Sequence, residues 1–187
     1  MVRWRNWPPD IYNTPGSGII HSRRKEIEAQ LQVLWPRLWR FALGLCRNRA
    51  DAEDLAQATC LRVLENAAKY RDGTHFDRWV FTICRNLWHN ECRARRLRQG
   101  NGCNCVYDLD LPSGSADAEA NIFHAEVLSK VMTLPDAQRE TLLLVYVEGF
   151  SYKEAAGMLD IPVGTVMSRL AAARKKLACL NKDDPAC

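Results

Sequence analysis

Thr165, Ser168 and Arg169 lie within five residues of one another, and Arg174, Lys175 and Lys176 follow a turn and a half later. Hydroxyl and guanidinium groups can hydrogen-bond the edges of bases, while a run of cations can hold a sugar-phosphate backbone. That chemistry needs a helix to present it. Val166, Leu170, Ala173 and Leu177 recur at steps of four, three and four, a spacing that puts them on one packing face and leaves Thr165, Ser168, Arg169 and Lys176 off it.

The preceding element positions this helix. Ser151 and Glu154 form an S-x-x-E pair, in which hydroxyl and carboxylate each satisfy a backbone N–H at a helix start. The helix that begins there runs to about Leu159, because Pro162 disfavours helical geometry at Ile161 and is suited to starting the next helix. A turn of three or four residues therefore joins two short helices, the spacing of a helix-turn-helix whose second helix enters a DNA major groove. Gly164 and Thr165 fall in its first turn, where small size and the helix dipole favour a phosphate. A plain helical hairpin with a solvated face fits the same spacing, so this stretch alone leaves both readings open.

Upstream, Leu31, Leu34, Leu38, Phe41, Ala42 and Leu45 make an apolar stripe at helical spacing. A second helix is expected from Ala50 to Ala67, and a third carries Phe76, Trp79, Val80, Ile83, Leu87 and Trp88 toward the basic run Arg93–Arg98. Trp79 is expected in the core. Periodicity stops between Gln99 and Asp117, where Gly, Asn, Pro and Ser accumulate. It resumes around Ala120–Met132 and again after Pro135, with a stop at Gly149. The expected fold is all-α: two small helical domains, over 24–98 and 120–181, joined by a flexible linker over 99–119, with the helix-turn-helix in the second. Residues 1–23 are expected as a disordered extension and 182–187 as a tail.

Composition agrees with a polyanion partner. A net charge of +4 is mild for 187 residues, but the basic groups are clustered. No apolar run approaches the roughly 18 residues of a membrane span. Eight cysteines without an export signal ahead of them point to reduced thiols in the cytoplasm.

The segments Arg49–Arg98, with "DAEDLAQ" and "YRDGTH", and Leu134–Leu177, with "GTVMSRLAAAR", together resemble the bacterial RNA polymerase sigma factors of the extracytoplasmic-function class. The resemblance implies a region 2 domain and a region 4 domain, with core RNA polymerase and promoter DNA as partners. It implies that Asp51, Asp54 and Gln57 meet the polymerase, although Ala58 stands where the family usually has an acid. It implies that Tyr70, Arg71, Asp72, Gly73, Thr74, His75 and Asn86 capture an unstacked base of the minus-ten strand, with Arg78, Arg85, Arg93, Arg95 and Arg96 holding that strand. The minus-thirty-five duplex would be read by Gly164, Thr165, Ser168 and Arg169 and gripped by Arg174, Lys175 and Lys176. Met167 and Ala172 replace residues that are commonly basic, which implies a promoter element with fewer arginine-to-guanine contacts. An anti-sigma factor, often membrane-anchored in the family, is the further implied partner. The segment "NECRARRLRQG" is similar to members tied to heavy-metal resistance.

Cys103, Cys105, His124, Cys179 and Cys187 could assemble a thiolate site for zinc or copper(I), but no C-x-x-C pair is present, and no metal or other cofactor is expected. There is no phosphate-cradling glycine loop and no nucleophile elbow, so the chain is not expected to be an enzyme. The competing reading is a stand-alone helix-turn-helix regulator, which would need a dimerisation surface.

Overall fold

The computed structural model describes residues 18–70, 75–99 and 128–180, and among these every regular element is helical. Helix α1 spans Gly18–Cys46, α2 spans Arg49–Glu65, a short 3-10 turn covers Ala67–Lys69, and α3 spans Phe76–Gln99. After a helical stretch at 128–132, α4 spans Asp136–Leu142 and widens into a π turn over Leu143–Val147; α5 spans Tyr152–Leu159 and α6 spans Val163–Leu180. Helix α1 starts six residues before Arg24, because no breaker separates Gly18 from it, so 18–23 belong to the helix rather than to an extension. The expected linker lies outside the described residues.

Local chemistry sets the boundaries. Asn48 accepts from the Asp51 backbone N–H and caps α2, an interaction of about 1 kcal/mol. Ser151 and Glu154 form the full capping box on α5. Asp160 closes α5 in the left-handed conformation, and Gly149, at φ 78°, turns the chain after the π turn. Pro135 precedes the first residue of α4.

Helices α1, α2 and α3 pack through Leu34, Leu38, Phe41, Ala52, Leu55, Val63, Val80, Phe81 and Cys84. Phe41 and Phe81 meet edge to face at 5.0 Å, a geometry worth about 0.5–1.5 kcal/mol beyond burial. The core stripe of α3 is Val80, Phe81, Cys84 and Trp88, whereas Phe76, Trp79, Ile83 and Leu87 are half-buried. Trp79 is thus not a core residue. The stripe is rotated by about one position because α1 and α2 cover the Val80–Cys84 side, leaving the Trp79–Ile83 side to line a cleft.

The C-terminal helices do not stand apart from the first three. One apolar cluster runs through both halves, from Ile27 to Ala173. Phe81 of α3 meets Phe150 edge to face at 5.7 Å. Gly44 of α1 lies so close to Leu143 that a Cβ there would sit 2.6 Å from the leucine Cδ1.

The two halves also finish each other's helices. The last carbonyls of a helix lack intrahelical partners and carry partial negative charge. Arg139 of α4, fully buried, donates to the Gly44 and Leu45 carbonyls near the end of α1, at 2.8 and 3.2 Å, and also to Leu134 and Asp136. In return Arg85 of α3 donates to the Met158 and Leu159 carbonyls at the end of α5.

Candidate nucleic-acid interface

In the helix-turn-helix, Val166, Leu170 and Ala173 are fully buried and Leu177 half-buried, as the spacing requires. Gly164, Met167, Ser168, Ala171, Ala172, Arg174, Lys175 and Lys176 form the exposed face of α6, and Thr165 and Arg169 sit at its half-buried edge. The turn is Asp160–Pro162, and the Pro162 carbonyl accepts from the N–H groups of Thr165 and Val166. Ser168 Oγ donates to the Thr165 carbonyl at 3.0 Å, leaving its lone pairs turned to solvent. Lys176 Nζ donates to the Thr133 carbonyl, which ties the cation to its own domain. With Met167 half-exposed and Ala171 and Ala172 small, the face offers as much apolar contact as charge. That composition suits thymine methyl groups as well as phosphates.

The predicted strand-gripping groups fall into three sets. Arg71, Asp72, Gly73 and Thr74 lie outside the described residues. Tyr70 packs on Phe76 at 5.4 Å and on Trp79 at 5.2 Å, and His75 is exposed beside them. Trp79 also lines a cleft of about 340 Å³ together with Arg62, Asn66, Asn86, Leu87 and Asn90. Tyr70 and Asn86 are therefore both neighbours of one indole. Amides beside an aromatic plane can stack and read an unpaired base. Arg62, Asn66 and Asn90 were not singled out from the sequence, although Asn86 and Asn90 are one helical turn apart on α3 and that spacing was legible.

Arg93 and Arg96 are exposed near the end of α3. Arg95 is instead engaged, donating to Asp51 at 2.8 Å and to Glu91 at 2.9 Å. Asp51 is held below the ordinary aspartate range, first by the Arg95 hydrogen bond and further by Asn48, against the opposing effect of burial. So Asp51, expected to face the polymerase, braces α2 against α3. Asp54 and Gln57 are exposed on the outer face of α2.

Arg78 and Arg85 have partners from the C-terminal half. Arg78 pairs with Glu154 at 2.7 Å, and Arg85 forms an ion pair with Glu140, which also meets His89 at 3.2 Å. A third bridge joins Arg37 to Glu148 at 2.9 Å; burial raises the Glu148 carboxyl above its ordinary range, with Arg37 opposing. Glu140 and Glu148 were not singled out from the sequence, and Glu154 was read there only as part of the capping box. The sequence shows only a largely polar stretch, Asp136–Thr141, ahead of the apolar run from Leu142, and nothing in it says what those charges meet.

Cys46, Cys60 and Cys84 are buried as small apolar residues; burial pushes the Cys60 thiol up to about 11, the Cys84 thiol up to about 12, and Cys46 further in the same direction. Cys103, Cys105, His124 and Cys187 lie outside the described residues. Among the described residues no group of three or more His, Cys, Asp or Glu is placed to hold a metal ion. Among them, too, no helix is long and apolar enough to cross a membrane.

Comparison with known proteins converges on one family. Residues 33–98 match the model for Sigma-70 region 2, and residues 124–177 match that for Sigma-70, region 4. The chain is 40% identical over 147 residues to the ECF RNA polymerase sigma factor EcfG of Rhodopseudomonas palustris, covering 78% of this chain and 79% of that one. It is 30% identical to the RNA polymerase sigma factor CarQ of Myxococcus xanthus, over 76% of this chain and 81% of that protein. The sigma factor RpoE of Bartonella quintana, solved in complex with the anti-sigma factor NepR, superposes with a TM-score of 0.73 at 29% identity, covering 86% of this chain and 99% of that one. CnrH, solved with the cytosolic domain of CnrY, shares the fold at a TM-score of 0.64 and 22% identity, over 89% of this chain and 97% of that one. With both sigma regions matched in order on an all-helical fold, the chain belongs to the ECF RNA polymerase sigma factors.

Proposed function

We propose that this sigma factor docks on core RNA polymerase through the exposed face of α2, with Asp54 and Gln57 at its centre, and directs it to promoters of a two-part element. Region 4 reads the minus-thirty-five duplex with Thr165, Ser168 and Arg169, while Gly164, Arg174, Lys175 and Lys176 meet phosphates. Region 2 takes an unstacked minus-ten base in the cleft beside Trp79, where Asn86 reads its edge with Arg62, Asn66 and Asn90 around it and Tyr70 backs the indole, and Arg78, Arg85, Arg93 and Arg96 hold the strand. Catalysis of RNA synthesis belongs to the polymerase. The observation that carries this reading is the exposed polar face of α6 behind a fully buried Val166–Leu170–Ala173 seam.

An anti-sigma factor is the further partner, supported by the Bartonella relative's complex with NepR; anchorage of that partner in a membrane and a cytoplasmic site for this chain are part of the same proposal. A narrower assignment to heavy-metal resistance rests on the segment Asn90–Gly100.

The test is multi-round transcription with purified core polymerase, this protein and a library of random promoter fragments. Discrete transcripts that require the protein establish the role and reveal the promoter. DNA binding without transcripts favours the stand-alone regulator, and a dimer in solution would then be the next observation to seek.

A further inference from the structure

The outermost line of α6 runs through Gly164, Ser168, Ala171 and Lys175, at steps of four, three and four, opposite the buried Val166–Leu170–Ala173 seam. A duplex that receives this helix in its major groove meets that line first. Ahead of Lys175 the line has no side-chain donor to spare. Gly164 has no side chain, Ala171 ends in a methyl, and the Ser168 hydroxyl already donates to the Thr165 carbonyl at 3.0 Å. Guanine O6 and N7 and adenine N7 are acceptors, so these three residues cannot bond them through their side chains.

The two flanks of the line differ. Thr165 and Arg169 stand on one side, at the half-buried edge. Met167 stands on the other and, at 51% exposed, is the most exposed large apolar side chain of α6 among the described residues. A single exposed methionine is ordinary on a protein surface. Its position gives this one a use. It lies in the first turns of the helix, beside small residues that let the backbone approach closely, and Arg174 and Lys175 follow about two turns later to hold phosphates. The feature of a base edge that an apolar side chain reads in the major groove is the C5 methyl of thymine. An unbranched, polarisable thioether can follow such a methyl closely.

We propose that Met167, with Ala171 beside it, is a specificity-determining residue of region 4 that covers the C5 methyl of a thymine in the minus-thirty-five duplex. This deepens the reading of α6 as the duplex-reading helix and rests on it. Arg174 and Lys175 supply binding that weakens as salt rises, whereas the methyl contact displaces no counterion and keeps its discrimination. Deleting that one methyl from the DNA should weaken binding about fourfold, the effect of exposing one methyl-sized group. An arginine at 167 would instead present a donor fork suited to guanine.

The experiment uses holoenzyme assembled from purified core polymerase and the full-length chain. Fragments are first selected by transcription from a random promoter library. In the strongest of them each thymine of the upstream element, on either strand, is replaced in turn by deoxyuridine, which removes only the methyl. Duplex binding is then measured for holoenzymes carrying the native chain, Met167→Ala and Met167→Leu. The proposal expects one thymine, or an adjacent pair, at which the native chain loses about fourfold. Met167→Ala should bind the thymine duplex at least as weakly as the native chain binds the uracil duplex, and should lose nothing further on the exchange. Met167→Leu should keep most of the discrimination, and the native ratio should hold at salt concentrations that weaken binding as a whole. The proposal is overturned by an upstream element without thymine, by a loss below about twofold at every thymine, or by an equal methyl-dependent loss in Met167→Ala. Each of those outcomes leaves the sigma reading intact. A library that yields no transcript dependent on the protein overturns both.

Discussion

Arg139 ties the C-terminal helices to the end of α1. Its guanidinium is fully buried and serves the carbonyls of Gly44, Leu45 and Leu134 as well as the Asp136 carboxylate. Replacing it with methionine preserves most of the aliphatic volume but leaves three carbonyls without this donor. Hydrogen bonds to a charged group contribute about 1.5–3 kcal/mol each, and part of that loss is offset because the guanidinium no longer has to be desolvated. Removing one partner of a buried charged set costs about 3–5 kcal/mol, and we expect Arg139→Met to fall there. For a chain of this size about 2–4 °C of melting temperature accompanies each kcal/mol, so a loss of about 10 °C is expected by circular dichroism. Arg139→Lys should restore little, because an ammonium cannot reproduce the planar fork that serves the end of α1 and the Leu134 carbonyl together. A shift below about 2 °C in Arg139→Met would refute the reasoning. It would mean that the end of α1 is satisfied by water and that region 4 is not held through this cap.

Four further outcomes follow from individual contacts. Arg169→Ala should weaken binding at the preferred promoter by about 1–3 kcal/mol if its contact to a base is bidentate, measured against unrelated duplex; equal loss on both would remove the base-reading role. Asp54→Arg places a cation on the exposed face of α2 and should abolish co-purification with core polymerase while the circular dichroism spectrum is unchanged. Asp51 has a lowered folded pKa, so its contribution through Arg95 is fully present above the ordinary aspartate range and is lost as pH falls through the lowered value. The stability difference between the native chain and Asp51→Asn, followed by urea unfolding, should therefore shrink toward acid pH; a constant difference would argue against the ion pair. Finally, maleimide at neutral pH should modify exposed Cys179 in the native state, whereas Cys46, Cys60 and Cys84 should react only on unfolding, as peptide mapping would reveal.

Much of the local structure was legible in the residues. The S-x-x-E box, the Pro162 boundary and the Val166–Leu170–Ala173 seam specify the helix-turn-helix through contacts no more than a few positions apart. The same holds for the start of α4 after Pro135 and the stop at Gly149. Legibility fell where the environment of a face decides the outcome. Trp79 reads as core by spacing, yet helices α1 and α2 cover the neighbouring side of α3, and the indole packs on Tyr70 and lines the Asn86 cleft.

The sequence by itself determined the elements, their order and the family, because those depend on capping, periodicity and short motifs that act locally. It did not determine which charges meet. Arg85 and Glu140 are 55 positions apart, Arg139 and Gly44 are 95 apart, and an arginine in a DNA-binding segment reads the same whether it awaits a phosphate or already holds a carboxylate. Only the packing of α4 and α5 onto α1 and α3 brings those groups within bonding distance. The physical reason is that an ion pair has no period along the chain: its partner is selected by which helix ends and faces the folded core places side by side.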